Sequence, residues 1–282
     1  MMDNFESSRV LSSDGCPIAV WSGGNPAGQP VVLLHGFALD HTAWSPLAIQ
    51  ADLLDRCWLL VPDLRGHGVS GRSQDPQRYS DGRRWADDLA ALLDLALDRD
   101  VAVVAWSFAG RMLLDYVRYH GPTRLRAINL VAAASVADVQ SIGPDHACLN
   151  EMCAEEPALA EAAALRFLSA ALGLKRGSVE FDHHMEVLRQ TSPRQRAALR
   201  ARPLDYDDLL AQLRLPVLVS HGDRDSIVLP RHAQRLGEVI PNASVSIYEG
   251  AGHAPFRDDP ARFAAELTAF ATRTSRDVVR QV

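Results

Sequence analysis

The chain has 282 residues, 47% of them hydrophobic and 23% charged, with a formal net charge of −6. This composition supports a packed core of one large domain and argues against disorder. A mildly acidic chain with no basic run gives no electrostatic ground for nucleic acid or an anionic membrane as partner.

In chain order, Ile18–Trp21 is the first strand candidate, closed by Ser22-Gly23-Gly24 and Pro26. Val31–Leu34 is a short continuous apolar run, the pattern of a strand buried on both faces, and it stops at His35-Gly36. A helix is expected over about Thr42–Leu53, a strand over Trp58–Val61 and a helix over about Asp81–Leu97. Val101–Trp106 is a buried strand, Ser107 follows it at once, and Phe108–Tyr119 reads as a helix ended by Gly121-Pro122. Leu125–Ala132, Pro216–Ser220 and Ser244–Tyr248 are further strands, with helices at about Pro230–Val239 and Asp259–Thr272. Alternating strands and helices predict an α/β fold with a mostly parallel central sheet covered on both sides. Residues 135–205 break the alternation. They are rich in Ala, Leu, Glu and Arg, with a strong helix candidate at Pro157–Leu172, and about 70 residues is too long for a loop. The expected organisation is therefore a core of 1–134 and 206–282 with a helical cap at 135–205. The last residues, Ser275–Val282, read as a fraying tail.

Four scattered cysteines, Cys16, Cys57, Cys148 and Cys153, form no Cys-x-x-Cys pair. The first ten residues, with Asp3 and Glu6, hold no apolar stretch, and the apolar runs are too short to span a bilayer. These features predict a reduced, cytoplasmic protein without a secretory signal.

The segment Ala105-Trp106-Ser107-Phe108-Ala109-Gly110 lies between a strand and a helix, the setting of a nucleophile elbow. Such a turn lifts the serine hydroxyl above the sheet at a helix N-terminus, where amide N–H groups favour an anion. Positions two before and two after the serine must be small, because strand and helix come close there. The usual glycines are replaced by Ala105 and Ala109, the next smallest residues. The bland alternative is a plain serine N-cap. Two amides would complete the site: that of Phe108, next after the serine, and that of Phe37 in Leu34-His35-Gly36-Phe37 after an earlier strand. Their rings are candidates to line an apolar pocket. A serine needs a base, and His253 in Glu249-Gly250-Ala251-Gly252-His253 follows the last strand. The base needs a carboxylate to fix its tautomer. His221-Gly222-Asp223-Arg224-Asp225 offers two, Asp223 and Asp225. All these pieces follow predicted strands, so they fall at one end of a parallel sheet, where ligands bind in open α/β folds.

The sequence resembles the α/β-hydrolase superfamily in LHGFALDHTAW at 34–44, DLRGHGVS at 63–70, AWSFAG at 105–110, HGDRDSIV at 221–228 and EGAGHAPF at 249–256. Within it the chain looks most like cofactor-free esterases, bacterial non-haem haloperoxidase-like proteins and carbon–carbon bond hydrolases. The resemblance implies Ser107, Asp225 and His253 as catalytic triad, in the chain order Ser, Asp, His, and a helical cap at about 135–205. It makes Asp225 the acid and leaves Asp223 a turn-forming role. It gives Asp63, Arg65, Gly66 and His67 a structural loop. A serine nucleophile argues against haloalkane dehalogenases and epoxide hydrolases, which attack through a carboxylate.

His183, His184 and Glu186 sit in a predicted cap helix with incomplete ligand spacing, so no metal is expected. No Gly-x-Gly-x-x-Gly follows a strand, so no dinucleotide and no other cofactor is expected. Trp44 and Trp106 read as core residues, Trp106 also adjoining the nucleophile. The expected partner is a small-molecule substrate: a small ester cleaved through an acyl-enzyme. The alternatives are a carbon–carbon hydrolase or lyase with the same triad, and, in another class, a ligand-binding receptor. Nothing in the sequence speaks to oligomeric state.

Overall fold

A computed structural model describes residues 2, 4–133, 135 and 138–273; the expected tail at 275–282 lies outside them. Eight strands form one sheet: β1 (Glu6–Leu11), β2 (Pro17–Gly24), β3 (Gln29–Leu34), β4 (Cys57–Pro62), β5 (Val101–Trp106), β6 (Leu125–Val131), β7 (Val217–Gly222) and β8 (Ala243–Tyr248). Their order is β1-β2-β4-β3-β5-β6-β7-β8. β2 pairs antiparallel with both β1 and β4, and every pairing from β4 to β8 is parallel. The central strands are apolar runs because both faces are covered: every residue of β5 is buried, as are Val31 to Leu34 of β3. Helix Gly82–Asp94 packs on Ala109–His120, and Ala51–Arg56 on Pro260–Thr272. Asp81 and Asp259 cap two of these helices by accepting from the amides of Arg83 and Arg262.

Two expectations are corrected. The sequence predicts no strand before Ile18, yet β1 lies at the sheet edge. Its residues are nearly all exposed, so no burial pattern marks them. The helix expected over Thr42–Leu53 is instead a 3-10 turn at His41–Trp44, further turns, and a short helix at Ala51–Arg56. Pro46 has no N–H to give, and the amides of Ser45, Leu47, Ala48 and Gln50 bond three residues back, the tighter pattern.

Between β6 and β7 the chain forms helices Ala147–Glu151, Pro157–Leu172, Val179–Arg189, Pro193–Arg200 and Asp207–Gln212. They touch the sheet-bearing part at defined points. The Phe167 ring stands 6.4 Å from that of Phe37. Gln195 Nε2 donates to the Gly66 carbonyl at 2.7 Å, and Arg111 Nη1 to the Arg202 carbonyl at 2.8 Å. Among the described residues no helix is long and apolar enough to cross a membrane.

Candidate active site

β5 delivers Ser107 in a turn too tight for ordinary backbone. Ser107 has φ +54°, a left-handed conformation unusual for a residue with a side chain. It is held there by its amide bonding to the Val131 carbonyl at 2.9 Å and its carbonyl accepting from Gly110 at 3.1 Å. Ala105 and Ala109 are fully buried on either side, so their methyl groups fill the space at the strand–helix junction.

The Ser107 hydroxyl lies 2.9 Å from His253 Nε2, and His253 Nδ1 lies 2.7 Å from Asp225 Oδ2. A carboxylate only accepts, so Nδ1 carries the hydrogen and Nε2 is left to receive the serine proton. The structure thus brings Ser107, Asp225 and His253 together in one line. Asp225 is buried and accepts from the amides of Ile227 and Val228 through Oδ1, at 2.8 and 3.0 Å. Burial opposes its ionisation, but the electrostatic influence of His253 and the bonds from His221 and His253 outweigh it. They hold the Asp225 carboxyl well below the usual carboxylate range. Asp223 stands elsewhere: its Oδ1 accepts from the Gly250 amide at 2.7 Å, pinning the loop that carries His253.

One neighbour of the site has no role assigned by the sequence. His221 Nε2 is 2.8 Å from the Val228 carbonyl and 3.0 Å from Asp225 Oδ2. Both are acceptors, so this nitrogen carries a hydrogen and donates. The available signal is a histidine four residues before Asp225, but only the turn after β7 folds it back onto that carboxylate.

Phe37 and Phe108 also meet, with ring centroids 5.8 Å apart and both side chains buried. Among the described residues neither backbone amide has a hydrogen-bond partner, whereas the next amide, Ala38, reaches His67 Nε2 at 3.3 Å. His35 sets this loop: its Nδ1 donates to the Gly36 carbonyl at 2.8 Å and its Nε2 accepts from Leu64 at 3.0 Å. Gly36 packs tightly on the Trp106 ring: a Cβ there would stand 3.1 Å from it, so the ring would have to shift by a few tenths of an ångström. The Trp106 indole also donates to the His253 carbonyl at 2.9 Å. Trp44 packs on Trp106 and on Phe256 in the core.

The 63–67 loop is a hydrogen-bonded scaffold. Asp63 accepts from the His41 amide and ring and from the Val69 amide. Arg65 is clamped by Asp88 through Nε and Nη2, and by Asp14. His183 Nε2 lies 3.1 Å from the Thr42 hydroxyl, and Asp40 joins His183 and His184 with their ligand-type atoms within 4.8 Å of one another. Glu186 bonds instead to Arg189, at 2.9 Å.

A fold of this topology, with these loops at the ends of its parallel strands, has known counterparts. Residues 31–266 match the family model described as "Alpha/beta hydrolase family". The chain belongs to the alpha/beta hydrolase family. It is 31% identical over 259 residues to a non-heme chloroperoxidase of Kitasatospora aureofaciens, covering 86% of this chain and 92% of that protein. The crystal structure of an esterase from Rhodococcus sp. ECU1013 superposes with TM-score 0.85 at 33% identity, over 94% of this chain and 98% of that one. A thermophilic esterase from Thermogutta terrifontis superposes with TM-score 0.74 at 25% identity, covering 98% of each chain. This alpha/beta hydrolase is thus similar along nearly its whole length to proteins of one architecture.

Proposed function

We propose that this enzyme hydrolyses small carboxylic esters through a Ser107–His253–Asp225 triad and an acyl-enzyme. The observation that carries the reading is the unbroken line from the Ser107 hydroxyl to His253 Nε2 at 2.9 Å and from His253 Nδ1 to Asp225 at 2.7 Å. Ser107 Oγ attacks the ester carbonyl while His253 takes its proton. Asp225 keeps the imidazole in the accepting tautomer and stabilises the imidazolium that forms. The free amides of Phe37 and Phe108 hold the developing oxyanion, a contribution of about 3 kcal/mol per fixed donor. His253 then returns the proton to the leaving alcohol. Water, deprotonated by the same imidazole, releases the acid and restores the serine. The helices between β6 and β7 serve as a cap, with Phe167 closing the apolar side against Phe37. The esterases among the structural relatives support the choice of bond.

Replacing Ser107 by Ala tests it. Turnover of p-nitrophenyl acetate and butyrate falls by about 10⁴-fold or more, and labelling by a fluorophosphonate is lost. Retention of ester turnover in the Ser107→Ala protein refutes the proposal.

A further inference from the structure

Five aspartates are buried among the described residues: Asp40, Asp63, Asp88, Asp115 and Asp225. Four of them meet a basic side chain: Asp63 meets His41, Asp88 meets Arg65, Asp115 meets Arg202, and Asp225 meets His253 and His221. Asp40 stands apart. It is 6% exposed, and among the described residues no Lys, Arg or His nitrogen lies within 4.0 Å of its carboxylate. Its Oδ1 caps the 3-10 turn at His41–Trp44, accepting from the Thr42 amide at 3.0 Å and the Thr42 hydroxyl at 2.5 Å. Its Oδ2 makes no hydrogen bond with the described residues. A buried carboxylate is costly unless a positive charge or a full set of donors answers it.

The groups beside Asp40 belong to the cap. Helix Val179–Arg189 carries His183 and His184, and one ligand-type atom from each of Asp40, His183 and His184 lies within 4.8 Å of the other two. His183 is exposed, with its Nε2 3.1 Å from the same Thr42 hydroxyl. His184 is 1% exposed, and neither of its ring nitrogens has a hydrogen-bond partner. Nδ1 is sealed off, and Nε2 stands 4.0 Å from Glu180, whose carboxylate is held by Arg257. His146 and His232 also have an orphaned Nδ1, but neither is joined by two further ligand-type side chains. The other three-residue group of this kind among the described residues, Asp40, His41 and Asp63, is already closed by the 2.8 Å bond from His41 to Asp63. Two imidazoles and a carboxylate are donors that suit zinc. The cap helix alone lacks the spacing for a site, which is why the sequence predicts no metal; the third ligand comes from the loop after β3.

We propose that Asp40, His183 and His184 bind a zinc ion that staples the cap to the loop carrying the Phe37 amide. A tetrahedral zinc with bonds of about 2.0–2.1 Å spaces its ligand atoms by roughly 3.3 Å. The three side chains close in as the ion enters, a movement open to the exposed His183. The ion answers the unpaired charge of Asp40, gives the buried His184 ring a partner, and keeps a water in its fourth position.

The test strips the whole protein with EDTA, titrates it with Zn²⁺ by calorimetry and with Co²⁺ by visible absorption, and follows Tm. The expected result is one zinc per chain with Kd below about 10 μM, a Tm raised by about 3 °C or more at excess zinc, and the strong visible bands of tetrahedral Co²⁺. His183→Ala changes an exposed position, and Asp40→Asn keeps the capping oxygen, so both variants are expected to fold, with circular dichroism as the check. Each weakens zinc binding by about tenfold or more and removes the Tm rise. Weaker binding by the unaltered protein, or equal binding by either folded variant, overturns the site and leaves a cap junction held by hydrogen bonds and water. None of these readouts uses turnover, so the zinc site and the ester reading fail separately.

Discussion

Asp225 is ionised in a buried place because four donors converge on it: two amides, His253 and His221. The His221 bond has a cost for the base, since it draws off part of the negative charge that stabilises the His253 imidazolium. His221 is therefore a positioning residue with a readable electrostatic effect. In His221→Phe, kcat falls by roughly tenfold, equivalent to the loss of one hydrogen bond of about 1.4 kcal/mol. The carboxylate then concentrates its charge on His253, so the acid limb of the kcat–pH profile moves to higher pH. His221→Gln, which keeps a donor, restores part of both. A side chain that merely fills space leaves the limb where it is, so an unmoved profile in His221→Phe argues against this role.

The elbow between β5 and helix Ala109–His120 works with alanines where this kind of turn commonly has glycines. Both methyl groups are fully buried, and Ser107 still reaches φ +54°. One more pair of carbons exceeds that room: Ala109→Val costs about 1–3 kcal/mol by overpacking and lowers ester turnover by tilting Ser107, measurable by urea unfolding and steady-state kinetics. An Ala109→Val enzyme as stable and active as its parent contradicts this. The same elements show what a linear sequence displays. Buried parallel strands such as Val31–Leu34 and Val101–Trp106 announce themselves as apolar runs, and the residues after them fall at one sheet end by topology alone. That made Ser107 and His253 legible, together with the two backbone amides. Asp225 against Asp223 was not a matter of spacing. Both follow β7, and the choice turns on the loop geometry that points one at His253 and the other at Gly250. β1 stayed hidden because Glu6, Ser7, Ser8 and Arg9 are solvated on both faces.

Across the whole molecule, several imidazoles are folded into the interior uncharged. Burial, more than any neighbour, pushes His67 down to about 3 and His232 down to about 4. In the unfolded chain each titrates near 6.5. Stability from these groups is whole above pH 6.5 and drains away as pH falls toward their folded values, because only the unfolded chain binds the proton. At pH 5 each costs about 2 kcal/mol relative to pH 7.5. Urea unfolding at the two pH values should show a loss of several kcal/mol, and a flat profile between them contradicts the buried neutral state. The Trp106 indole acts on a similar scale. It belongs to the residue before Ser107, yet it grips the main chain of His253 on a distant loop and packs against Gly36. Drift of any one of these three loops drags the other two along. Alignment of donor and acceptor thus leans on one rigid ring together with the carboxylates of Asp223 and Asp258, which tether residues 250 and 252.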